Sequence, residues 1–559
     1  MKTTHTKQSL LPAIFGRATL LLPAIFGRVI AATLVLVTMT ACTSGFLDEY
    51  SQDLSRVSNA DDVQELLTGS CNLPLGIFKY SDYTYNLNNR NYDILHFMSD
   101  ELEENYKASA DPDVSSQRGN IFPYFCWQKN AYLNFKGSNT YNSQEENYFD
   151  KLYELIGNCN MVIKATDDVT ATKADDQLKL QRAKGEALFL RAFYYLTLVN
   201  LYAQPYAPAT AATTPGVPVK TTEYIEDKEY TRNSVQKVYD QIVSDLATAE
   251  EILSTTGKQQ SIYHADLNCV YLLRSRVALY MQDWQTAHDY AQRSLQQNST
   301  LQNLIGWDES QYPISSSNPE VIYSNGASCF GSVVYTRPQR TDYNDFGPGY
   351  RVSEHLYGLF PDNDARRVSY VTTKDDKITG LPTYHKIDNS VASWGVYKTV
   401  SDVFSMRTAE AYLNLAEADA HLGQDGEACQ MLTTLRANRV ENAEALSLSG
   451  SDLITFIREE RERELCFEGH RWFDLRRYMV DSQYPYTKEI KHTYTVYVSR
   501  SYMNVPQQVL FYTLKANDPA YTLDFPRNVK NFQPSIGTNE RPDRQPSSTI
   551  DYDVDNYNN

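Results

Sequence analysis

The sequence predicts a mostly α-helical chain: tetratricopeptide-like helix pairs form a scaffold, which carries an irregular, loop-rich subdomain and a few short strands. Three observations carry this reading. Long stretches such as 174–202 and 235–253 place apolar residues at the helical period. Two segments, 265–296 and 407–439, each read as helix, turn and helix over about 34 residues, the period of a tetratricopeptide pair. Two further stretches, about 71–140 and 301–405, lose the helical period and gather Tyr, Asn, Asp and short β-branched runs.

The chain has 559 residues, enough to bury a large core, and ordinary globular proportions of 42% apolar and 22% charged residues. Its net charge of −17 argues against nucleic acid or an anionic membrane surface as partner. Tyrosine is abundant, 42 Tyr against 21 Phe, which suits wet recognition surfaces because the ring is apolar and its tip polar.

Residues 1–41 read as a targeting segment. Lys2, Lys7, Arg17 and Arg28 precede the apolar run Val29–Met39, which is too short to span a membrane. Thr40-Ala41-Cys42 then resembles a lipobox, which implies cleavage before Cys42 and acylation of that residue. An ordinary signal peptide with Cys42 incidental is the competing reading. The duplicated LLPAIFGR at 10–17 and 21–28 lengthens the segment and carries no function. Residues 42–58 are then a lipidated tether, and 59–559 the folded body.

Asn59-Ala60-Asp61-Asp62 caps a first helix that Gly69 should end. In the irregular stretch that follows, the aromatics include Tyr83, Tyr85 and Trp127. Helices are expected over 145–164, 174–202 and 235–253, with a proline-rich loop between Pro205 and Pro218. The pair at 265–296 turns at Gln282-Asp283-Trp284, and the pair at 407–439 turns at Gly423-Gln424-Asp425. The scaffold thus covers about 145–300 and 405–480. Strands are expected at Val321–Tyr323, Val333–Tyr335 and 493–498, and the tail after Met479 is otherwise irregular.

The stretch Ser451–Met479 sends charge into its own apolar stripe. On a helix, Leu453, Ile454, Ile457 and Leu465 share a face with Arg461, Glu464 and Glu468, while Glu459, Glu462 and Arg463 point away. Buried charge needs partners, and Glu464 lies one turn from Arg461. Gly469 suits the helix end, and a short amphipathic piece with Asp474 near Arg477 follows. A structural ion network that fixes helix docking outweighs the sharper reading, a catalytic pair of Glu468 and His470.

Arg463-Glu464-Leu465-Cys466-Phe467-Glu468-Gly469-His470-Arg471-Trp472-Phe473-Asp474-Leu475-Arg476-Arg477 resembles the C-terminal signature of the SusD/RagB family of nutrient-binding lipoproteins. Gly185-Glu186-Ala187-Leu188-Phe189-Leu190-Arg191-Ala192 resembles that family's second motif, and 351–367 its helix followed by a D-x-R turn. The resemblance implies the helix-pair fold, an outer-membrane lipoprotein exposed at the cell surface, a SusC-like TonB-dependent transporter as partner, and an oligosaccharide or peptide as ligand. It implies binding and hand-over without bond cleavage, and no cofactor.

Other chemistry has little support. The nine histidines are isolated, with no HExxH motif, and the eight cysteines form no CxxC pair. His96 beside Asp100-Glu101 could bind a metal, but packing or capping by the acids outweighs this, and no metal site is expected. A full disulfide framework is not expected either, and Cys159, Cys269, Cys429 and Cys466 read as small core residues. A sugar site needs aromatics from separate loops with polar neighbours. The candidates are Tyr83, Tyr85, Trp127, Tyr335, Tyr343 and Phe346, each in competition with loop packing or transporter contact. A protein-binding tetratricopeptide scaffold and a glycoside hydrolase remain as alternative functions.

Overall fold

The computed structural model describes residues 57–72, 94–104, 117–135, 137, 144–259, 261–325, 350–373, 381–387, 400–500 and 503–553. Met1–Val57 and Ser58–Asn559 form separate units, and the described elements all belong to the second. The targeting segment and Cys42 lie outside the described residues.

In chain order the elements are α1 (Ala60–Leu66), α2 (Ile94–Met98), β1 (Leu102–Glu104), α3 (Gln117–Phe125), α4 (Gln144–Asp168), α5 (Ala174–Tyr202), α6 (Val235–Leu253), α7 (Leu267–Met281) and α8 (Trp284–Gln297). Then follow β2 (Val321–Ser324), β3 (Tyr350–Val352), α9 (Glu354–Gly358), α10 (Arg366–Ser369), β4 (Val371–Thr372), β5 (Thr383–Tyr384) and β6 (Ser405–Arg407). The last part holds α11 (Thr408–His421), α12 (Asp425–Arg436), α13 (Gly450–Leu465), α14 (Arg471–Met479), β7 (Ile490–Arg500), β8 (Met503–Leu514), α15 (Arg527–Phe532) and β9 (Ser548–Asp551).

The long helices stack in sequence, each on the next from α4 to α8; α8 then packs on α11, and α11 on α12 and α13. This is the expected helix-pair scaffold. Local chemistry sets its boundaries. Asn59 Oδ1 accepts from the backbone of Asp61 at 2.8 Å and Asp62 at 3.0 Å, starting α1. Asp266 caps α7 through the backbone of Asn268 at 3.0 Å, and Asp283 caps α8 through Thr286 at 3.2 Å. Between them Gln282 adopts a left-handed φ of 60°, making the two-residue turn of that pair.

The interior of the second pair is apolar. Leu413, Leu432, Leu435, Leu453, Ile454 and Ile457 are buried in one cluster across α11, α12 and α13. Each such side chain contributes about 1.5–3 kcal/mol of burial energy. Cys159, Cys269, Cys429 and Cys466 are buried free thiols, as are Cys71 and Cys126.

Four expectations need correction. Gly69 does not end the first helix: the chain continues through it as a π-helical turn, Leu67–Cys71. The stretch 71–140 is partly helical, in α2 and α3, where Gly119 and Pro123 mask the period. The tail is not mainly irregular. β7 runs antiparallel to β8 from Ile490↔Leu514 to Arg500↔Met503, and β9 pairs with β8. Pro506 conceals β8 in the sequence, and it sits where the register shifts beside Tyr497. Finally, Gly469 (φ 76°) closes the turn after α13, but the helix already stops at Leu465, and Phe467 also takes a left-handed φ of 59°. The strand expected at Val333–Tyr335 lies outside the described residues. Among the described residues no helix is long and apolar enough to cross a membrane.

Candidate functional site

Glu464 lies at the centre of the buried charge. Its carboxylate accepts from three arginines drawn from three distant segments: Arg366 at 2.9 Å, Arg439 at 2.9 Å and Arg407 at 3.1 Å, with the Tyr370 hydroxyl at 3.0 Å. Glu320 bridges two of them, at 2.8 Å to Arg407 and 2.6 Å to Arg439. Glu468 takes Arg407 at 2.6 Å and Lys386 at 2.5 Å. Glu460 takes Arg366 at 2.7 Å and Arg463 at 2.9 Å. Glu464 and all three of its arginines are less than 2% exposed. Burial alone would raise these carboxyl groups, but the guanidinium fields outweigh it. Glu464 is held well below the usual carboxylate range and Glu460 falls to about 2.

Arg461 is buried as expected, but its partner is not Glu464. Nε donates to Asp474 at 2.8 Å and Nη1 to Asn414 Oδ1 at 2.7 Å. Glu464 faces the arginines of other segments, and Asp474 also receives Arg477 at 2.7 Å. Glu462 and Arg463 do not point into water: both are buried, Glu462 against Arg471 at 2.9 Å and His355 at 2.8 Å. The signature 463–477 is therefore a clamp. α13 and α14 tie together α10, β6, α11, the end of α12, and the segment holding Asp100, which takes Arg471 at 2.7 Å.

The second motif fixes the first half of the scaffold. A Cβ on Gly185 would lie 2.6 Å from Leu253 Cγ, so glycine lets α5 approach α6. Arg191 grips Asp245 of α6 through two bonds, 2.8 and 2.6 Å, and donates to Asn160 Oδ1 of α4 at 2.8 Å. Glu186 is buried and meets His264 Nδ1 at 3.1 Å.

Glu468 and His470 do not form a catalytic acid–base pair. Glu468 is engaged by Arg407 and Lys386. Burial, followed by the fields of Arg276 and Arg461, holds the His470 imidazole well below its ordinary range, so it is neutral. The cavity beside them, lined by Phe193, Arg276, Tyr280 and Phe473 among others, is about 20 Å³ by where a water centre fits, room for one water and no substrate. Asp100 does not join His96 and Glu101. His96 Nε2 lies 3.3 Å from Asp402 and Nδ1 3.6 Å from Glu101, whereas Asp100 faces Arg471. Burial opposes charge on His96, but the carboxylates of Asp402 and Glu101 outweigh it and raise its pKa to about 9.

Of the six ligand candidates, Tyr83, Tyr85, Tyr335, Tyr343 and Phe346 lie outside the described residues. Trp127 is a correction. Its ring is fully buried, stacked on His492 at 4.5 Å, and its Nε1 donates to Met98 O at 2.9 Å. A ring with no exposed face cannot stack a sugar, so Trp127 is a core residue.

Of the described residues that flank those five aromatics, Cys71 and Asn325 meet at Tyr194. Tyr194 of α5 donates to Cys71 O at 2.6 Å and accepts from Asn325 Nδ2 at 3.2 Å. The Asn325 backbone donates to Phe404 O at 3.0 Å, and Ser401 N to Ser324 Oγ at 2.8 Å. β1 pairs with β3, Glu104 opposite Tyr350, and in α2 His96 faces Asp402. Sequence reasoning missed Glu320, Lys386, Arg407, Arg439 and Asp402. Only Arg366 carried a local signal, the D-x-R turn Asp364-Ala365-Arg366, in which Asp364 holds Arg366 at 2.7 Å.

Comparison with known proteins agrees with this architecture. The profile of the SusD family matches residues 369–509, and a profile described as starch-binding associating with outer membrane matches 90–279. SusD-like protein P2 of Formosa agariphila is 24% identical over 60% of this chain and 72% of its own length. A crystal structure of a SusD-like carbohydrate binding protein from Bacteroides vulgatus superposes with a TM-score of 0.63 at 20% identity, covering 87% of this chain and 98% of that one. A SusD superfamily protein from Bacteroides thetaiotaomicron gives a TM-score of 0.62 at 21% identity, over 86% and 100% of the two chains. With one motif forming the clamp, the other fixing the first half of the scaffold, and both profiles matching, the chain belongs to the SusD/RagB family.

Proposed function

We propose that this chain is a cell-surface nutrient-binding lipoprotein that captures an oligosaccharide, or a peptide, and delivers it to a SusC-like TonB-dependent transporter in the outer membrane. Cys42 is its acylated anchor. Tyr83, Tyr85, Tyr335, Tyr343 and Phe346 supply stacking faces for the ligand, and polar neighbours on the same segments hold its hydroxyls. One observation beyond family membership supports the reading. The ends of two aromatic-rich segments, at Cys71 and Asn325, are hydrogen-bonded through Tyr194, on a frame locked by buried ion pairs. A rigid base reduces the ordering cost of loops that must close on a ligand. The mechanism is binding and hand-over, without bond cleavage.

The test is calorimetric titration of the purified protein against panels of oligosaccharides and peptides, with an assay for released reducing ends. Saturable binding of one class without turnover supports the proposal. Clear hydrolysis by pure protein would establish an enzyme instead. Binding of neither class, with capture only of other proteins, would favour an interaction scaffold. Delivery is tested separately, by co-purification with a transporter that depends on intact Cys42.

A further inference from the structure

The buried arginines of α13 and α14 follow a rule with one exception. Arg461, Arg463, Arg471 and Arg477 each meet a carboxylate. Arg476 is just as deeply buried, at 0% exposure, and meets none among the described residues. Its Nη2 donates to the backbone carbonyl of Ala203 and to Thr522 Oγ1 at 3.3 Å. Its Nε and Nη1 have no hydrogen-bond acceptor among the described residues.

One turn earlier on the same face of α14, Trp472 repeats the pattern. It is fully buried, and its indole Nε1 also lacks an acceptor among the described residues. The ring stacks on Tyr521, centroids 4.8 Å apart, next to the Thr522 that Arg476 touches. The titratable groups whose fields reach Arg476 are the phenols of Tyr239, Tyr280 and Tyr521, with no carboxylate among them. Burial lowers the Arg476 pKa to about 10, which leaves it cationic at neutral pH.

Buried donors without acceptors are rare in folded proteins, and an unpaired buried cation is strongly unfavourable. Here two side chains at i and i+4 present three such donor nitrogens beside a single positive charge. This chemistry complements a small anion. A water molecule would accept from the donors but would leave the charge uncompensated.

We propose that Trp472 and Arg476 form a buried site for one small monovalent anion of the chloride class. The anion accepts from Trp472 Nε1 and from the guanidinium. It joins three segments remote in sequence: the end of α5 at Ala203, α14, and the turn 519–522. Because it binds the folded chain and not the unfolded one, it stabilises the fold by mass action.

The experiment is thermal unfolding of the full chain at constant ionic strength, with sodium chloride or sodium bromide exchanged stepwise for the bulkier methanesulfonate. The expected result is a melting temperature that rises with halide and saturates. A bromide-soaked crystal should show an anomalous peak within hydrogen-bond distance of Trp472 Nε1 and Arg476. Trp472→Phe keeps the ring and the charge but removes one donor, so its halide midpoint should shift to higher concentration by several-fold. This variant carries the test if Arg476→Met does not fold. A melting temperature indifferent to the choice of anion, water at the α14 position, or an unchanged midpoint in Trp472→Phe would each overturn the proposal.

Discussion

Glu464 shows most plainly how charge can be placed in a core. It is one carboxylate among three guanidinium groups, and Glu320 and Glu468 balance what it cannot. Removing its charge leaves buried cations uncompensated. Glu464→Gln should therefore cost about 3–5 kcal/mol, read as a lower denaturation midpoint in guanidinium chloride. The pH response follows from the same groups. Glu460 lies near 2 in the folded chain and 4.5 when free, so its contribution is present above 4.5 and is lost as pH falls toward 2. His96 has the opposite sign: folded at about 9 and free at 6.5, it contributes fully below 6.5 and loses that contribution as pH rises through 9. Unfolding free energy measured between pH 6 and pH 9.5 should fall in the natural protein, and fall less steeply in His96→Gln. The groups facing His96 are Asp402 and Glu101, both acidic, which is why the charged form is held.

Between elements, the same chemistry sets how helices dock. Arg191 clamps α5 to α6 and α4, and Gly185 allows the close approach. Arg191→Met or Asp245→Leu alone strands a buried charge and should cost about 3–5 kcal/mol, whereas the double variant should recover much of that loss. Chemical denaturation of all four proteins in the cycle checks this. Gly185→Ala should cost about 1–3 kcal/mol, because its methyl must displace the Leu253 side chain. The helices themselves were legible in the sequence. α5 and α6 follow the 3.6-residue period, and α7–α8 and α11–α12 show the helix-pair repeat. β8 was not legible, because Pro506 interrupts its pattern at the register shift. α3 was hidden in the same way by Gly119 and Pro123. Partner choice was less legible still. A helical wheel places Glu464 inward, but which arginines reach it depends on chain segments far away in sequence, at 366, 407 and 439. Glu462 and Arg463, which the wheel turns away from the apolar stripe, are buried as well, since α13 is covered on more than one side.

At the scale of the whole molecule, the two motifs and the ion clamp form the frame, and the proposed ligand contacts belong to the segments it supports. Trp127 separates the two roles. Composition and neighbourhood made it a ligand candidate, and only the fold reveals that His492 and Met98 enclose it. Tyr83, Tyr85, Tyr335, Tyr343 and Phe346 stay as the proposed ligand contacts, and the described ends nearest them, at Cys71 and Asn325, both bond to Tyr194. The measurement that tests this division most directly is ligand affinity alongside melting temperature in two sets of variants. Alanine at these five aromatics should weaken binding of the cognate oligosaccharide or peptide and leave the melting temperature unchanged. Trp127→Ala should lower the melting temperature, and protein that remains folded should keep its affinity. Affinity lost with Trp127 in fully folded protein, or indifferent to all five of these aromatics, would contradict the account.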